Sequence, residues 1–273
     1  MSWLMQWLAG IGRGSSVKGV APLDEDLKNA GLTLLENQPK AGWTVLDSSA
    51  QARVARGQWQ SQAVVIKVFL PRGPWESVKS IGRGSRGMRA IRHGRQMSED
   101  GFDTPRALAY GWIGVNECLV MEDINGASLS HLITSRHGEP FLAIADRHLV
   151  HRRLAETVAH LHESGWTHGD LRLGNILVSP PSATGRLVFL DNERSKKHGR
   201  PCDGQKNLVQ LNMTHPSFLP RTSRVRFLSH YATQRGMGRV AFRHLAIRIA
   251  QATEARHQER LRRGGSKARF SAK

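Results

Sequence analysis

The sequence predicts an α+β chain in two parts, a small strand-rich region followed by a larger helical one. Three features point to it. Between Trp43 and Glu122 the apolar residues come in short, β-branched runs separated by turn residues. Beyond residue 141 they recur about every 3.6 residues, the period of a helix face. The change falls between Glu122 and Gly126, where Asn125-Gly126 is turn chemistry. A hydrophobic content of 39% with 23% charged residues fits a folded chain, and 273 residues can bury a sizeable core in one large domain or two lobes.

Residues 1–40 read as an N-terminal extension. Its first dozen residues, MSWLMQWLAGIG, are apolar but too short to span a bilayer, and no leading positive charge marks an export signal. Trp3, Leu4, Trp7 and Leu8 share one helical face, which suits either core packing or contact with a membrane interface. Residues 41–122 form the strand-rich lobe. WTVLDSSAQARVARGQW and SQAVVIKVFL read as the two arms of a hairpin. The segment 72–97 is polar, basic and punctuated by glycine, with a helix near Met88 to Met97, and two more strands follow at Ala107–Ile113 and Cys118–Glu122. Residues 123–220 form the helical lobe. Leu142, Leu149, Leu154, Val158 and Leu161 mark a helix face, and Gly165 sits where that helix must end. His160 and His162 are expected on its surface. The apolar runs around PPSATG form a hairpin over residues 175–191, and NLVQL, from Asn207, starts another helix. Residues 221–273 are a basic helical part and tail.

Four polar elements stand in order along these segments. Lys67 lies within VVIKVF, where a lysine is costly unless its ammonium meets an anion. Asp170 and Asn175 sit five apart in THGDLRLGNILV, on a loop that leads into a strand, and Asp191 ends the apolar run RLVFLD. Phosphoryl transfer from ATP asks for this set: a cation on the nucleotide phosphates, a carboxylate for the attacking hydroxyl, and a few oxygen ligands for Mg²⁺. Lys67 is assigned to the phosphates, Asp170 to the substrate hydroxyl, and Asn175 and Asp191 to magnesium.

These residues resemble the protein-kinase-like superfamily. His168, Asp170 and Asn175 are similar to its catalytic loop H-x-D-x-x-x-x-N, VVIK to its strand lysine motif, LVMED to its hinge, and LDNE stands in the place of its D-F-G. SEDGFDTPRALAYG, LHESGWTHGDLRLGNILV, KNLVQLN and RVRFLSHY are similar to the bacterial lipopolysaccharide kinases that phosphorylate Kdo or heptose. The resemblance, over residues 43 to 215, implies a bilobal protein-kinase-like fold and an ATP- and Mg²⁺-dependent kinase. It implies that Ser48 and Ser49 lie in the nucleotide loop and that Glu122 and Met121 make main-chain contacts to adenine. His168 braces the loop by hydrogen bonds. Arg172 either stabilises charge on the transferring phosphate or is a surface arginine.

Several positions depart from that pattern. The nucleotide loop, Leu46 to Val54, holds no glycine. Glu76 is the sole acidic residue between Pro71 and Met97 that could pair with Lys67, and otherwise Lys67 is held another way. Asn192-Glu193 replaces Phe-Gly, and Glu193 is expected at the surface in preference to a further metal or substrate contact. Fifteen residues separate Asp191 from Asn207, too few to seat a peptide substrate, which favours a sugar or small-molecule acceptor. The net charge is +18, and residues 221–273 hold fourteen Lys or Arg against two Glu, or +12. Such a surface attracts anionic lipid, a lipid-linked phosphosugar or nucleic acid. The resemblance favours the phosphoglycolipid of the lipopolysaccharide core over nucleic acid. Cys118 and Cys202 read as reduced thiols of a cytoplasmic protein, peripheral on the inner membrane if the tail meets lipid. Two other readings stay open: a phosphotransferase with a protein or other small-molecule acceptor, and a pseudokinase acting as a basic binding module.

Overall fold

The computed structural model describes residues 17–71, 84–133, 144–215 and 219–262. The apolar N-terminal stretch, Glu76 and Leu142 lie outside the described residues. The chain divides into two compact units: one holds the chain up to Glu99 together with Thr104–Ile124, the other Asp100–Asp103 and everything from Asn125.

The first unit is built on a six-stranded sheet. Its strands are β1 (Ala21–Pro22), β2 (Thr44–Leu46), β3 (Ala52–Trp59), β4 (Gln62–Phe69), β5 (Ala107–Ile113) and β6 (Asn116–Glu122), in the order β1-β5-β6-β4-β3-β2. The β1–β5 pair is parallel and the other neighbours are antiparallel. Side-chain alternation along β4 gives the sheet two different faces. Val64, Ile66 and Val68 pack under α1 (Glu25–Leu35), with Leu27, Ala30 and Leu34. This helix lies in the segment read from sequence as an extension. Its spacing of Leu27, Ala30, Gly31 and Leu34 is that of one buried helix face, and Asp24 caps it by accepting the Leu27 N–H at 2.9 Å.

The opposite face carries Phe69, which packs with Leu119 and with Ile91 of α2 (Arg86–Glu99). Lys67, two residues before Phe69, shares that face. α2 begins just before the helix expected from Met88. Its first-turn N–H, at Gly87, donates to both carboxylate oxygens of the buried Glu117 at 3.1 Å, and the Tyr110 hydroxyl donates to the same group at 2.6 Å. A helix N-terminus is where a buried carboxylate is least costly.

The second unit holds β7 (Ala127–Ser128), α3 (Leu129–Ile133), α4 (Ile144–Glu163), β8 (Trp166–Thr167), β9 (Ile176–Ser179), β10 (Arg186–Phe189), β11 (Lys196–Lys197), α5 (Gln205–Asn212), α6 (Arg221–Gln234) and α7 (Arg239–Arg262). β9 and β10 are the hairpin read around PPSATG, and β11 pairs with β8. Helix α4 buries Val150, Leu154, Val158 and Leu161 against this core and packs on α6, while α5 packs on α7. Among the described residues no helix is long and apolar enough to cross a membrane.

Two arginines of the basic C-terminal part are structural. Arg224 donates to the backbone oxygens of Leu219 (2.9 Å), Asn212 and Thr214, and so caps the end of α5. Arg235 donates to Cys202 O at 2.9 Å and pairs with Glu163 at 2.6 Å.

Candidate active site

The loop between β8 and β9 is held from three sides. Trp166 is fully buried, and its indole N–H donates to Asp100 at 2.6 Å. Leu171 and Leu173 are buried as anchors on either side of the exposed Arg172. Pairing of β11 with β8 sets Lys196 opposite Thr167, which returns residues 191–195 alongside residues 168–170. The fit is close. A Cβ on Gly169 would run into the backbone of Arg194, so only glycine is accommodated there.

His168 is buried and joins the two strands of the site. Its Nδ1 accepts from the Asp170 N–H at 3.1 Å, so its Nε2 carries the proton and donates to Leu190 O at 2.9 Å. Burial lowers its pKa, opposed by the bond to Leu190 and by the charge of Asp191. A neutral imidazole whose two nitrogens are both engaged braces the loop, as the sequence predicts, and is no base.

The same loop presents Asp170, whose carboxylate pairs with the Arg172 guanidinium. Asn175 Nδ2 donates to Asp170 O at 2.8 Å, which turns the amide oxygen of Asn175 away from the loop backbone. In the β9–β10 register Phe189 faces Ile176, and the Leu190 N–H donates to Asn175 O at 2.9 Å. Asn175 and Asp191 are therefore neighbours at the open end of one hairpin. Asp191 adopts a left-handed backbone, φ 61° and ψ 47°, an uncommon conformation for a residue with a Cβ and one that recurs at functional sites. Among the described residues no group of three or more His, Cys, Asp or Glu could hold a metal ion by itself. One amide oxygen and one carboxylate suit a hard cation that keeps water and shares phosphate oxygens, as Mg²⁺ does.

The first unit places the residues expected at the nucleotide as follows. Lys67 is half-buried, with Nζ 5.1 Å from the centre of the Phe69 ring. Arg86 lies 4.8 Å from that ring and donates to Gln51 O at 3.0 Å. In the loop between β2 and β3, Ser48 and Ser49 are exposed. Ser48 Oγ donates to Ala52 O at 2.9 Å, and the Ala52 N–H donates to Ser49 O at 3.1 Å. The glycine-free turn is thus held by the Ser48 hydroxyl, by its own backbone and by Arg86. The Glu122 N–H donates to Arg106 O at 3.0 Å and its carboxylate accepts the Arg106 N–H at 2.9 Å, so an adenine contact from Glu122 would use its carbonyl.

Two expectations are corrected. Glu193, expected at the surface, is 3% exposed, because the turn Asn192–Arg194 folds back on Gly169. His162, expected on a helix surface with the exposed His160, is fully buried. Its ring belongs to a polar network that sequence reasoning missed. Asn207 of α5 accepts the His168 N–H at 3.0 Å and donates to His168 O at 2.5 Å. Gln210, one turn on, accepts the Leu171 N–H at 3.1 Å and donates to Gly169 O at 3.2 Å. Asn207 Oδ1 can only accept, so His162 Nε2, 3.1 Å away, carries a proton and its Nδ1 accepts from the Tyr231 hydroxyl at 2.9 Å. Burial holds the pKa of His162 down to about 4, so the ring stays neutral. The signal was present in KNLVQLN: Asn207 and Gln210, i and i+3, share one helix face between apolar residues.

Residues 81–231, more than half of the chain, match the lipopolysaccharide kinase (Kdo/WaaP) family. The chain belongs to that family. It is a kinase, a phosphotransferase. Among solved structures, WaaP in complex with acyl carrier protein superposes with a TM-score of 0.54 at 20% identity, covering 78% of this chain and 88% of that one, which shows the α+β kinase-like fold. The mouse EKC/KEOPS complex subunit Tp53rkb is 26% identical over 67% of this chain and 74% of its own length. A probable bifunctional tRNA threonylcarbamoyladenosine biosynthesis protein of Methanothermobacter thermautotrophicus is 30% identical over 54% of this chain and 24% of its own length.

Proposed function

We propose that this lipopolysaccharide-kinase family member transfers the γ-phosphate of ATP to a sugar hydroxyl, Kdo or heptose, of the lipopolysaccharide inner core. The observation that carries the reading is the loop 168–175: a neutral, buried His168 holds a carboxylate, Asp170, beside the oxygen pair Asn175 and Asp191. Asp170 orients the acceptor hydroxyl and receives its proton. Arg172 offsets charge on the transferring group. Asn175 Oδ1 and the Asp191 carboxylate would hold Mg²⁺, which would supply charge neutralisation at the phosphates. Lys67 and the loop at Ser48 and Ser49 hold the nucleotide phosphates, and Glu122 meets adenine through its main chain. The short link from Asp191 to α5 supports a sugar acceptor over a peptide. The +12 of residues 221–273 suits an anionic phosphoglycolipid at a membrane surface.

The test is phosphate transfer from labelled ATP to delipidated core oligosaccharide, with Mg²⁺ present and then chelated. Transfer is expected with wild type and absent in Asp170→Ala. A second reading is a phosphotransferase with another acceptor, a protein among them, since the mouse EKC/KEOPS complex subunit, 26% identical over two thirds of the chain, carries no lipopolysaccharide role in its name. Label found on protein acceptors alone would select it and sink the first.

A further inference from the structure

Helix α7 packs on α5, the element that holds residues 168–171. Leu245, Ile249 and Thr253 are its buried residues, four apart, the spacing that keeps one face of a helix on a neighbour. Thr253 Oγ1 accepts from Asn212 Nδ2 at 2.8 Å, at the end of α5. Ile249 shares an apolar cavity with Leu208 and Leu211 of α5 and with Leu173 of the catalytic loop. The helix is thereby pinned to the element that grips residues 168–171. Beyond Thr253 the same face carries Arg256 and Arg260, three and seven residues on, and seven residues advance about 10 Å along a helix.

That advance puts Arg260, with Arg256 beside it, within electrostatic range of Arg172 and Asp170. Burial and the charges of Arg256 and Arg172 lower the pKa of Arg260, and the Asp170 carboxylate acts against them. Arg260 thus lies within electrostatic reach of two other guanidiniums and one carboxylate. Arg256 is half-buried, Arg260 is exposed, and neither has a hydrogen-bond or ion-pair partner among the described residues. Arg224 and Arg235, in the same basic region, are by contrast engaged, Arg224 with backbone oxygens and Arg235 with Cys202 O and the Glu163 carboxylate. Guanidiniums held close without partners repel one another, and a bound oxyanion relieves that repulsion through charge-assisted, often bidentate, hydrogen bonds.

We propose that Arg256 and Arg260, beside the Asp170–Arg172 pair, form a site for an oxyanion carried by the acceptor, close to the hydroxyl that Asp170 orients. The occupant is a phosphate ester or a sugar carboxylate, which present the same oxygens to an arginine fork. The proposal rests on Asp170 acting on an acceptor hydroxyl, and it makes the enzyme selective for acceptors that are already anionic. A reaction that installs a phosphate or an acidic sugar must then precede this one.

Two measurements test it. The first does not depend on the acceptor: inorganic phosphate is titrated into wild type and into the Arg256→Gln/Arg260→Gln pair, following arginine Nε–H resonances. Wild type is expected to saturate, and the double variant to bind at least about fivefold more weakly, with Arg256→Lys/Arg260→Lys in between. Equal titration of wild type and the Gln pair overturns the site. The second is transfer from ATP to core oligosaccharide. The Gln pair is expected to raise the KM for oligosaccharide about tenfold, equivalent to about 1.4 kcal/mol, while the KM for ATP stays within twofold. An equal rise in both constants, or in neither, also overturns it. Enzymatic removal of the acceptor's phosphates abolishes the difference if phosphate is the occupant, and reduction of its carboxyl abolishes it if carboxylate is. Phosphate bound through these arginines by a wild type that leaves the oligosaccharide unmodified would uphold the anion site and refute the sugar-kinase reading.

Discussion

Asp191 combines a left-handed backbone with an oxygen donor at the end of β10. A left-handed residue with a Cβ costs roughly 1–2 kcal/mol, a strain that glycine avoids. Asp191→Gly is therefore expected to remove activity while leaving the thermal midpoint equal or higher. Asp191→Asn keeps the backbone and is expected to shift the Mg²⁺ half-saturation upward, with the fold intact. A Mg²⁺ titration of kinase activity beside thermal melts of both variants checks this, and unchanged turnover in Asp191→Asn would remove the residue from the metal site. The Asp170–Arg172 pair behaves differently. The arginine side chain is 57% exposed, so the pair adds little to stability. Asp170→Asn is expected to lower kcat about 100-fold or more with almost no change in melting.

Helix α5 is short, eight residues, yet it holds the loop 168–171 by its backbone. Asn207→Ala would remove three bonds to the loop and to Gln210, and would strand the buried N–H of His162. The expected cost is about 2–4 kcal/mol, with a fall in kcat even where the protein remains folded. Urea denaturation and single-turnover transfer measure the two effects separately. Gly204, left-handed at φ 62° just before α5, is its counterpart: a Cβ there would run into the His162 ring. How far the sequence disclosed these elements follows from the kind of signal each sends. A β-branched run announced β4, with Lys67 inside it, and turn residues announced the β9–β10 hairpin that joins Asn175 to Asp191. Helix α1 carried a proper apolar period but stood outside the expected lobe. The burial of His162 and Glu193 could not be read locally, because it depends on partners 45 and 24 residues away, Asn207 and Gly169.

Across the chain, the +18 charge is distributed among arginines with different tasks, and histidines in the second unit set its response to acid. Burial holds both His151 and His162 down to a pKa of about 4, against an ordinary 6.5. A group whose folded pKa is depressed binds its proton more readily in the unfolded chain. Each ring therefore contributes stability that is fully present above pH 6.5 and is lost progressively as pH falls toward 4. At pH 5 the loss is about 2 kcal/mol per histidine, taking 1.36 kcal/mol per pH unit. The two rings differ in what they give in return. His162 is hydrogen-bonded at both nitrogens, whereas neither nitrogen of His151 has a partner among the described residues, although it lies among Leu154, Leu173 and Phe227. His151→Phe should then stabilise the protein by about 1–2 kcal/mol at pH 7, since it removes buried polar atoms without removing a bond. It should also flatten the decline between pH 6.5 and 5 by about one proton, leaving the slope due to His162. Urea unfolding followed by far-UV circular dichroism from pH 4.5 to 8 reads both quantities. A variant with the wild-type slope would show that His151 is not neutral in the fold, and a large loss of stability at pH 7 would show that the ring fills its cavity in a way phenylalanine does not.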